Sequence, residues 1–240
     1  MINFPIKIKD KEINDINGVK PINLSEFLYI FKNIDKENVQ CEFPVIPKLG
    51  YMTKDEIYVL NLMIKFMKPK KVFEFGTFDG FSGKNIILNN KETLKIFSTL
   101  DILEKQSEES KYYIDNTNLP MIFNLEKGKH LTGLEKITNV EMILCDSAKF
   151  DTESYKDKYD VVLVDACHTY EYVMNDTNKA YEICRKGGLI IWHDYNKNRY
   201  MPGVTTALNE FSIKNKKDLY WISDINCSDY NTSLVFTIKT

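Results

Sequence analysis

Apolar residues in this chain recur in short unbroken runs and rarely alternate with polar ones. Lys71-Val72-Phe73-Glu74-Phe75, Ile96 to Asp101, Val140 to Asp146, Asp160 to Asp165 and Leu189 to Asp194 each read as a strand buried on both faces. The stretches between them have helical spacing. Thr53-Lys54-Asp55-Glu56 is a capping box, Ile57, Leu60, Met63, Ile64 and Met67 follow on one face, and Pro69 ends that helix. Lys84 to Asn89 resumes as a helix after a glycine turn. Tyr172 to Cys184 turns Val173, Thr177, Ala180, Tyr181 and Cys184 inward, Gly187-Gly188 stops it, and Val204 to Phe211 forms a last helix. Leu219 to Ser223 and Ser233 to Ile238 read as an antiparallel pair of strands. Runs of this kind separated by helices predict an α/β fold, a doubly wound and mostly parallel sheet.

Residues 1–50 break this rhythm. Pro21, Pro44 and Pro47 interrupt them, and one short helix from Leu24 to Ile34, with Phe27, Ile30 and Phe31 on a shared face, is all the spacing predicts. They are read as an N-terminal extension to a main domain at 51–240. A lid, a contact in a homodimer and a plain covering segment are roles open to it. The stretch from Lys105 to Asn139 is long, polar and without pattern. In such a fold it lies near the strand ends, where it lines a substrate mouth or runs over the surface.

Composition narrows the partners. The 240 residues carry 32 basic and 34 acidic side chains, so neither nucleic acid nor an anionic membrane is expected to bind. Arg185 and Arg199 are the only arginines, which disfavours a phosphate-rich ligand. Five cysteines without a C-x-x-C pair are expected as reduced thiols in a cytoplasmic protein. The first ten residues carry charge and a proline where a signal peptide needs an apolar run. No apolar run is long enough to span a bilayer.

The chemistry collects at strand ends. In an open α/β sheet, ligands bind outside the carboxyl ends of the strands. Four of the strands end on Asp101, Asp146, Asp165 and Asp194, and the first runs into Gly76-Thr77-Phe78-Asp79-Gly80-Phe81-Ser82-Gly83. Any single one of these acids could simply cap the next helix. The turn lacks the second glycine of the dinucleotide fingerprint, because Phe78 stands there, and it is no Walker loop either. Glu74 beside it would repel a pyrophosphate and suits a ligand with a cationic part.

Glu74 to Ser82 resembles motif I of class I S-adenosylmethionine-dependent methyltransferases, and the Gly80-Phe81-Ser82 ending is similar to the catechol O-methyltransferase-like branch. Asp101 falls where that family places its ribose-binding acid, and Cys145-Asp146-Ser147-Ala148 resembles the adenine-contacting segment. Asp165-Ala166-Cys167-His168 resembles the D-x-x-H motif of small-molecule members, among them the macrolide-sugar O-methyltransferases, and Lys186 to Tyr195 resembles the strand that follows it. The resemblance covers about residues 50 to 240. It implies a seven-stranded sheet whose last strand is antiparallel, and transfer of a methyl group from S-adenosylmethionine to a small-molecule hydroxyl such as a sugar or polyphenol.

It also implies roles. Glu74, Gly76, Thr77, Gly80, Phe81, Ser82, Asp101, Ile102, Asp146, Ser147 and Asp165 are the expected cofactor residues. Glu74 would serve the ammonium side directly or through water, and the helix N-terminus after Ser82 would take the carboxylate. Asp165 and Asp194 are the expected ligands of Mg²⁺, with His168 and Asp165 catalytic and His168 the general base. His193 stands where some relatives have an acid, so a softer ion is also open. His193 is read as orienting a ligand or filling the core, His130 as solvated, Cys167 as a small buried thiol, and Tyr195 as the one aromatic pointing into the site. Two rival readings share the fold: a nicotinamide-dependent oxidoreductase, against which the missing glycine argues, and a cofactor-binding module without turnover, against which Asp165, His168 and Asp194 argue.

Overall fold

In chain order the elements are β1 (Val19–Asn23), α1 (Leu24–Ile30), α2 (Lys54–Phe66), β2 (Lys71–Phe75), α3 (Phe81–Asn89), β3 (Ile96–Asp101), the short α4 (Glu104–Ser107), β4 (Asn139–Leu144), β5 (Tyr159–Val164), α5 (Tyr170–Ile183), β6 (Cys184–Trp192), α6 (Pro202–Asn215), β7 (Leu219–Asp224) and β8 (Val235–Ile238). This computed structural model describes residues 18–43, 50–114, 125–196, 201–224 and 232–240. Pro44, Pro47, Arg199, Tyr200 and Cys227 lie outside the described residues.

The strands form one sheet in the order β1-β7-β8-β6-β5-β2-β3-β4, with β8 antiparallel to both neighbours and every other pair parallel. The expectation of an α/β, doubly wound, mostly parallel sheet holds, including the antiparallel last strand. Its count does not: the described residues hold eight strands, not seven. The eighth is β1, which pairs parallel with β7 from Val19↔Leu219 onward. Pro21 reads as a breaker in sequence, yet an edge strand tolerates a residue with no N–H to give. Val19 and Ile22 are buried and hold the strand to the sheet. The described part of the N-terminal extension is thus sheet edge and covering helix.

Successive residues of each central strand feed opposite cores. Val161, Leu163, Leu189 and Ile191 face α1, α2 and α3, while Val162, Val164, Ile190 and Trp192 face α5 and α6. Burial on both faces explains the unbroken apolar runs of the inner strands; β4, at the far edge of the sheet, is instead partly exposed along its length, against the expectation for Val140 to Asp146. Helix α1 spans seven residues, not the eleven expected, and Asn33 in left-handed backbone at φ 71° precedes a 3-10 turn at Ile34–Lys36. Seven residues are too few to hold a helix alone. The Asn23–Glu26 capping box and the burial of Phe27 and Ile30, about 1.5–3 kcal/mol for each side chain, stabilise it. The stretch read as a stop, Gly187-Gly188, lies inside β6 beside a shift in register.

The strand order reverses between β2 and β5, and that is where the crevice of such a sheet opens. The end of β2 is tied there to both of its neighbours, β3 and β5. Gly76 N donates to Leu100 O at 2.8 Å and Asp165 N to Phe75 O at 2.9 Å. A Cβ on Gly76, which has φ +97°, would stand 2.0 Å from Asp165 O. Only glycine fits this approach.

Candidate active site

On the β2–β3 side, the turn after Phe75 is held from below. Glu74 is fully buried and accepts hydrogen bonds from Thr99 Oγ1 at 3.0 Å and from Ser82 Oγ. Thr77 Oγ1 and Thr99 Oγ1 share a bond of 2.7 Å. Burial with only hydroxyl partners pushes the Glu74 carboxyl up to about 8. Phe78 takes a left-handed conformation at φ 50°, a place the dinucleotide fingerprint gives to glycine. That conformation points its N–H at Asp101 Oδ2, 2.7 Å away.

Asp101 ends β3 with three donors on it. Besides Phe78 N, its Oδ1 accepts from Ile102 N and from Lys127 Nζ, each at 2.7 Å. Lys127 belongs to a segment that closes over the turn, where Gly128 N donates to Phe78 O and His130 N to Asp79 O. Asp79, fully buried, receives Tyr51 OH and has Lys129 Nζ at 3.4 Å and His130 Nε2 at 3.5 Å. Phe81 is buried edge-on to Tyr51 and His130, and His130, expected as solvated, is partly exposed with one edge of its ring packed on Phe81.

Asp146 is buried too, and its oxygens accept from Ala148 N, Tyr172 OH and Lys111 N at 2.9, 3.0 and 3.2 Å. Ser147 beside it is buried and gives its carbonyl to Lys179. Thr169 Oγ1 donates to Tyr113 O at 3.1 Å, so residues 111–113 of the long insertion tie the Asp146 loop to the loop that carries His168.

On the β5–β6 side the carboxylates meet imidazoles. Asp165 follows β5 and Asp194 follows β6 in left-handed backbone at φ 65°. His168 Nε2 lies 2.8 Å from Asp194 Oδ2. Thr169 occupies the cap position of α5, so His168 is no helix cap. One ligand atom from each of Asp165, His168 and Asp194 falls within 4.8 Å of the others. Gly203, in the first turn of α6, backs this loop: a Cβ there would stand 2.4 Å from His168 O.

Behind them sits His193. Its Nδ1 is 3.2 Å from both Asp165 Oδ1 and Asp194 Oδ2, and its Nε2 is 3.3 Å from Glu56 Oε2 outside hydrogen-bond geometry. Burial opposes a charge on this ring, but Asp194 and Asp165 hold it well above the ordinary imidazole range. Burial alone would likewise raise Asp194; His193 and His168 hold it well below the carboxylate range instead.

Sequence reasoning missed Glu56, Ser233, Lys127 and Tyr51. The capping box at Thr53 does form, and Glu56 closes it. Nothing in the chain's order says that the same carboxylate also meets His193 and Ser233, 137 and 177 positions away. Tyr195 is corrected: it is buried against Trp221 and donates to Asn209 at 2.9 Å, inside the core under α6. Cys167 is half-buried, with Sγ 3.5 Å from Thr169 Oγ1.

Residues 73–195 match the family described as Methyltransferase domain. A protein of Acanthamoeba polyphaga mimivirus is 27% identical over 182 residues, which cover 73% of this chain and 76% of that one. Among solved structures, the O-methyltransferase of Bacillus cereus in complex with SAH aligns with a TM-score of 0.56 at 14% identity, covering 80% of this chain and 84% of that one. The O-methyltransferase TomG of Streptomyces achromogenes, involved in tomaymycin synthesis and solved with SAM, aligns with a TM-score of 0.56 at 13% identity over 80% and 82% of the two chains.

Proposed function

The chain belongs to the methyltransferase-domain family, and we propose that it moves a methyl group from S-adenosylmethionine to a hydroxyl of a small molecule, with His168 as the general base. The observation that carries this is the junction of β2, β5 and β6: a glycine turn against Asp165 on one side, and His168 bonded to Asp194 on the other. The solved structures that share the fold include O-methyltransferases holding SAH or SAM, which agrees with it.

The cradle fits the cofactor. Gly76 and Gly80 lie where a Cβ would collide with the protein itself, at 2.0 Å from Asp165 O and 2.7 Å from Leu131, so glycine fixes the shape of the turn beside which the cofactor would lie. When bound, S-adenosylmethionine supplies an electrophilic methyl group on a sulfonium. Asp101 would accept from the ribose hydroxyls, and the N-terminus of α3 at Phe81-Ser82 would take the carboxylate. Glu74, sealed under the turn, would act on the ammonium side through the Ser82 hydroxyl. Ile102 and Phe81 would wall the adenosine, with Thr77 and Ser147 at its rim.

On the acceptor side, Asp194 holds His168 by Nε2 and leaves Nδ1 as the basic nitrogen. Nδ1 would take the proton of an acceptor hydroxyl seated beside it, and the bound cofactor would supply the methyl group that this oxygen receives. Asp165, His168 and Asp194 also fit a divalent cation, Mg²⁺ or a softer ion, which would lower the pKa of a bound hydroxyl. The four described cysteines are free thiols, which supports the cytoplasmic reading. Among the described residues no helix is long and apolar enough to cross a membrane.

Calorimetry with S-adenosylhomocysteine tests the cofactor, and release of that product from a panel of phenols and sugars tests the acceptor. A protein that ignores S-adenosylhomocysteine ends this reading. Full turnover after EDTA treatment leaves His168 alone as the activator.

A further inference from the structure

Three carboxylates from three separate elements converge on the His193 ring. Asp165 closes β5, Asp194 closes β6 and Glu56 opens α2, and each places an oxygen 3.2–3.3 Å from a ring nitrogen. The other Glu56 oxygen, Oε1, accepts from Ser233 N at 2.9 Å and from Ser233 Oγ at 2.5 Å. Ser233 Oγ in turn accepts from Asp194 N at 3.3 Å. His193, Asp194, Ser233 and Glu56 therefore form a closed loop of contacts, and all four residues are buried.

Two aspartates at adjoining strand ends repel each other, and Asp194 also sits in a backbone conformation that few residues adopt unaided. A donor fixed midway between them sets their separation. The same Asp194 oxygen that meets His193 Nδ1 meets His168 Nε2, so whatever fixes this oxygen also fixes the His168 ring.

We infer that His193, seated on Glu56, is the positioning residue of this site: it sets the distance between Asp165 and Asp194 and, through Asp194, the orientation of His168. This rests on the reading of His168 as the base.

Two conservative replacements separate the two nitrogens. An Asn amide sits where the imidazole Nδ1 does, so His193→Asn keeps a donor on the aspartates. A Gln amide sits nearer Nε2, so His193→Gln keeps the Glu56 side and loses the aspartates. The chain has three histidines, which makes ring-nitrogen NMR on labelled protein readable without any acceptor substrate. At mildly alkaline pH, wild type and His193→Asn should each show His168 as one tautomer with its proton on Nε2. His193→Gln should show a mixture, with the Nε2 form falling to about half.

Glu56→Gln keeps the Ser233 contacts and should shift His168 the same way by less. If His193→Gln does not fold, that variant decides on the same signal. A purely structural role would alter melting temperature in both His193 variants alike and leave the His168 spectrum unchanged, and an unchanged spectrum overturns the inference. Loss of S-adenosylhomocysteine binding by the wild type would instead strike the functional reading, and the His168 spectrum would still judge this one.

Discussion

The two halves of the crevice solve one electrostatic problem in opposite ways. On the β2–β3 side, Glu74 is sealed from water with two hydroxyls as partners, and its carboxyl is pushed up to about 8. On the β5–β6 side, Asp194 is almost as deeply buried, yet His193 and His168 hold it well below the ordinary range. Hydroxyls satisfy lone pairs but do not balance a buried charge; imidazoles do both. The first half is therefore suited to gain a cationic ligand, and the second already holds a cationic His193 beside the base His168 and is suited to move a proton.

The largest effects should split along this line. His168→Ala is expected to lower turnover by ~10²–10⁴-fold while the affinity for S-adenosylhomocysteine stays as in wild type. Asp101→Ala should do the converse. It removes the acceptor for two ribose hydroxyls and should weaken calorimetric binding by roughly 100-fold, at about 1.5 kcal/mol for each bond to a charged group. If either variant lost both functions in equal measure, the two halves of the crevice would not be separable.

The first half was legible in the sequence because it is local. The span from Lys71 to Asn89 carries strand, turn and helix in one stretch; the observed β2 has the predicted bounds, and α3 starts at Phe81, three residues before the expected Lys84. The strand-end acids were legible for the same reason: an unbroken apolar run fixes where a buried strand stops. What was illegible is what distant segments bring to those ends. Glu56 satisfies a capping box, so local reasoning gave it a complete role. Lys127 lies in a polar insertion without periodicity. Pro21 looked like a breaker because a residue's place at the sheet edge depends on which strand is its neighbour. Tyr195 sits next to Asp194 in sequence, but the left-handed turn at Asp194 sends it into the core.

A smaller effect separates the halves by pH. The folded chain holds the Glu74 proton to about pH 8, whereas the unfolded chain releases it near the ordinary value of 4.5. The stability due to this group is thus fully present below about pH 4.5 and is lost as pH rises towards 8. Glu74→Gln, which stays neutral, should flatten that part of the profile. It should leave the variant more stable than wild type at pH 8 by on the order of 2 kcal/mol. Thermal melts of both proteins across this range decide it; parallel curves would mean that the carboxyl is charged in the folded chain and that the first half is balanced after all.

The smallest effect concerns Lys127. A carboxylate offers about four lone-pair sites. Asp101 already accepts from Phe78 N, Ile102 N and Lys127 Nζ, and a ribose would bring two more donors. Five donors do not fit four sites. The two backbone donors are built into the turn and the strand end, whereas the lysine can swing away at the cost of one partly buried ion pair. Lys127→Met keeps the apolar stem and removes that competitor. It should tighten S-adenosylhomocysteine binding by about three- to tenfold, the equivalent of ~1 kcal/mol. Weaker binding in the variant would show that the ammonium contacts the ligand itself, and the first half of the crevice would then contain a working cation of its own, as the second does.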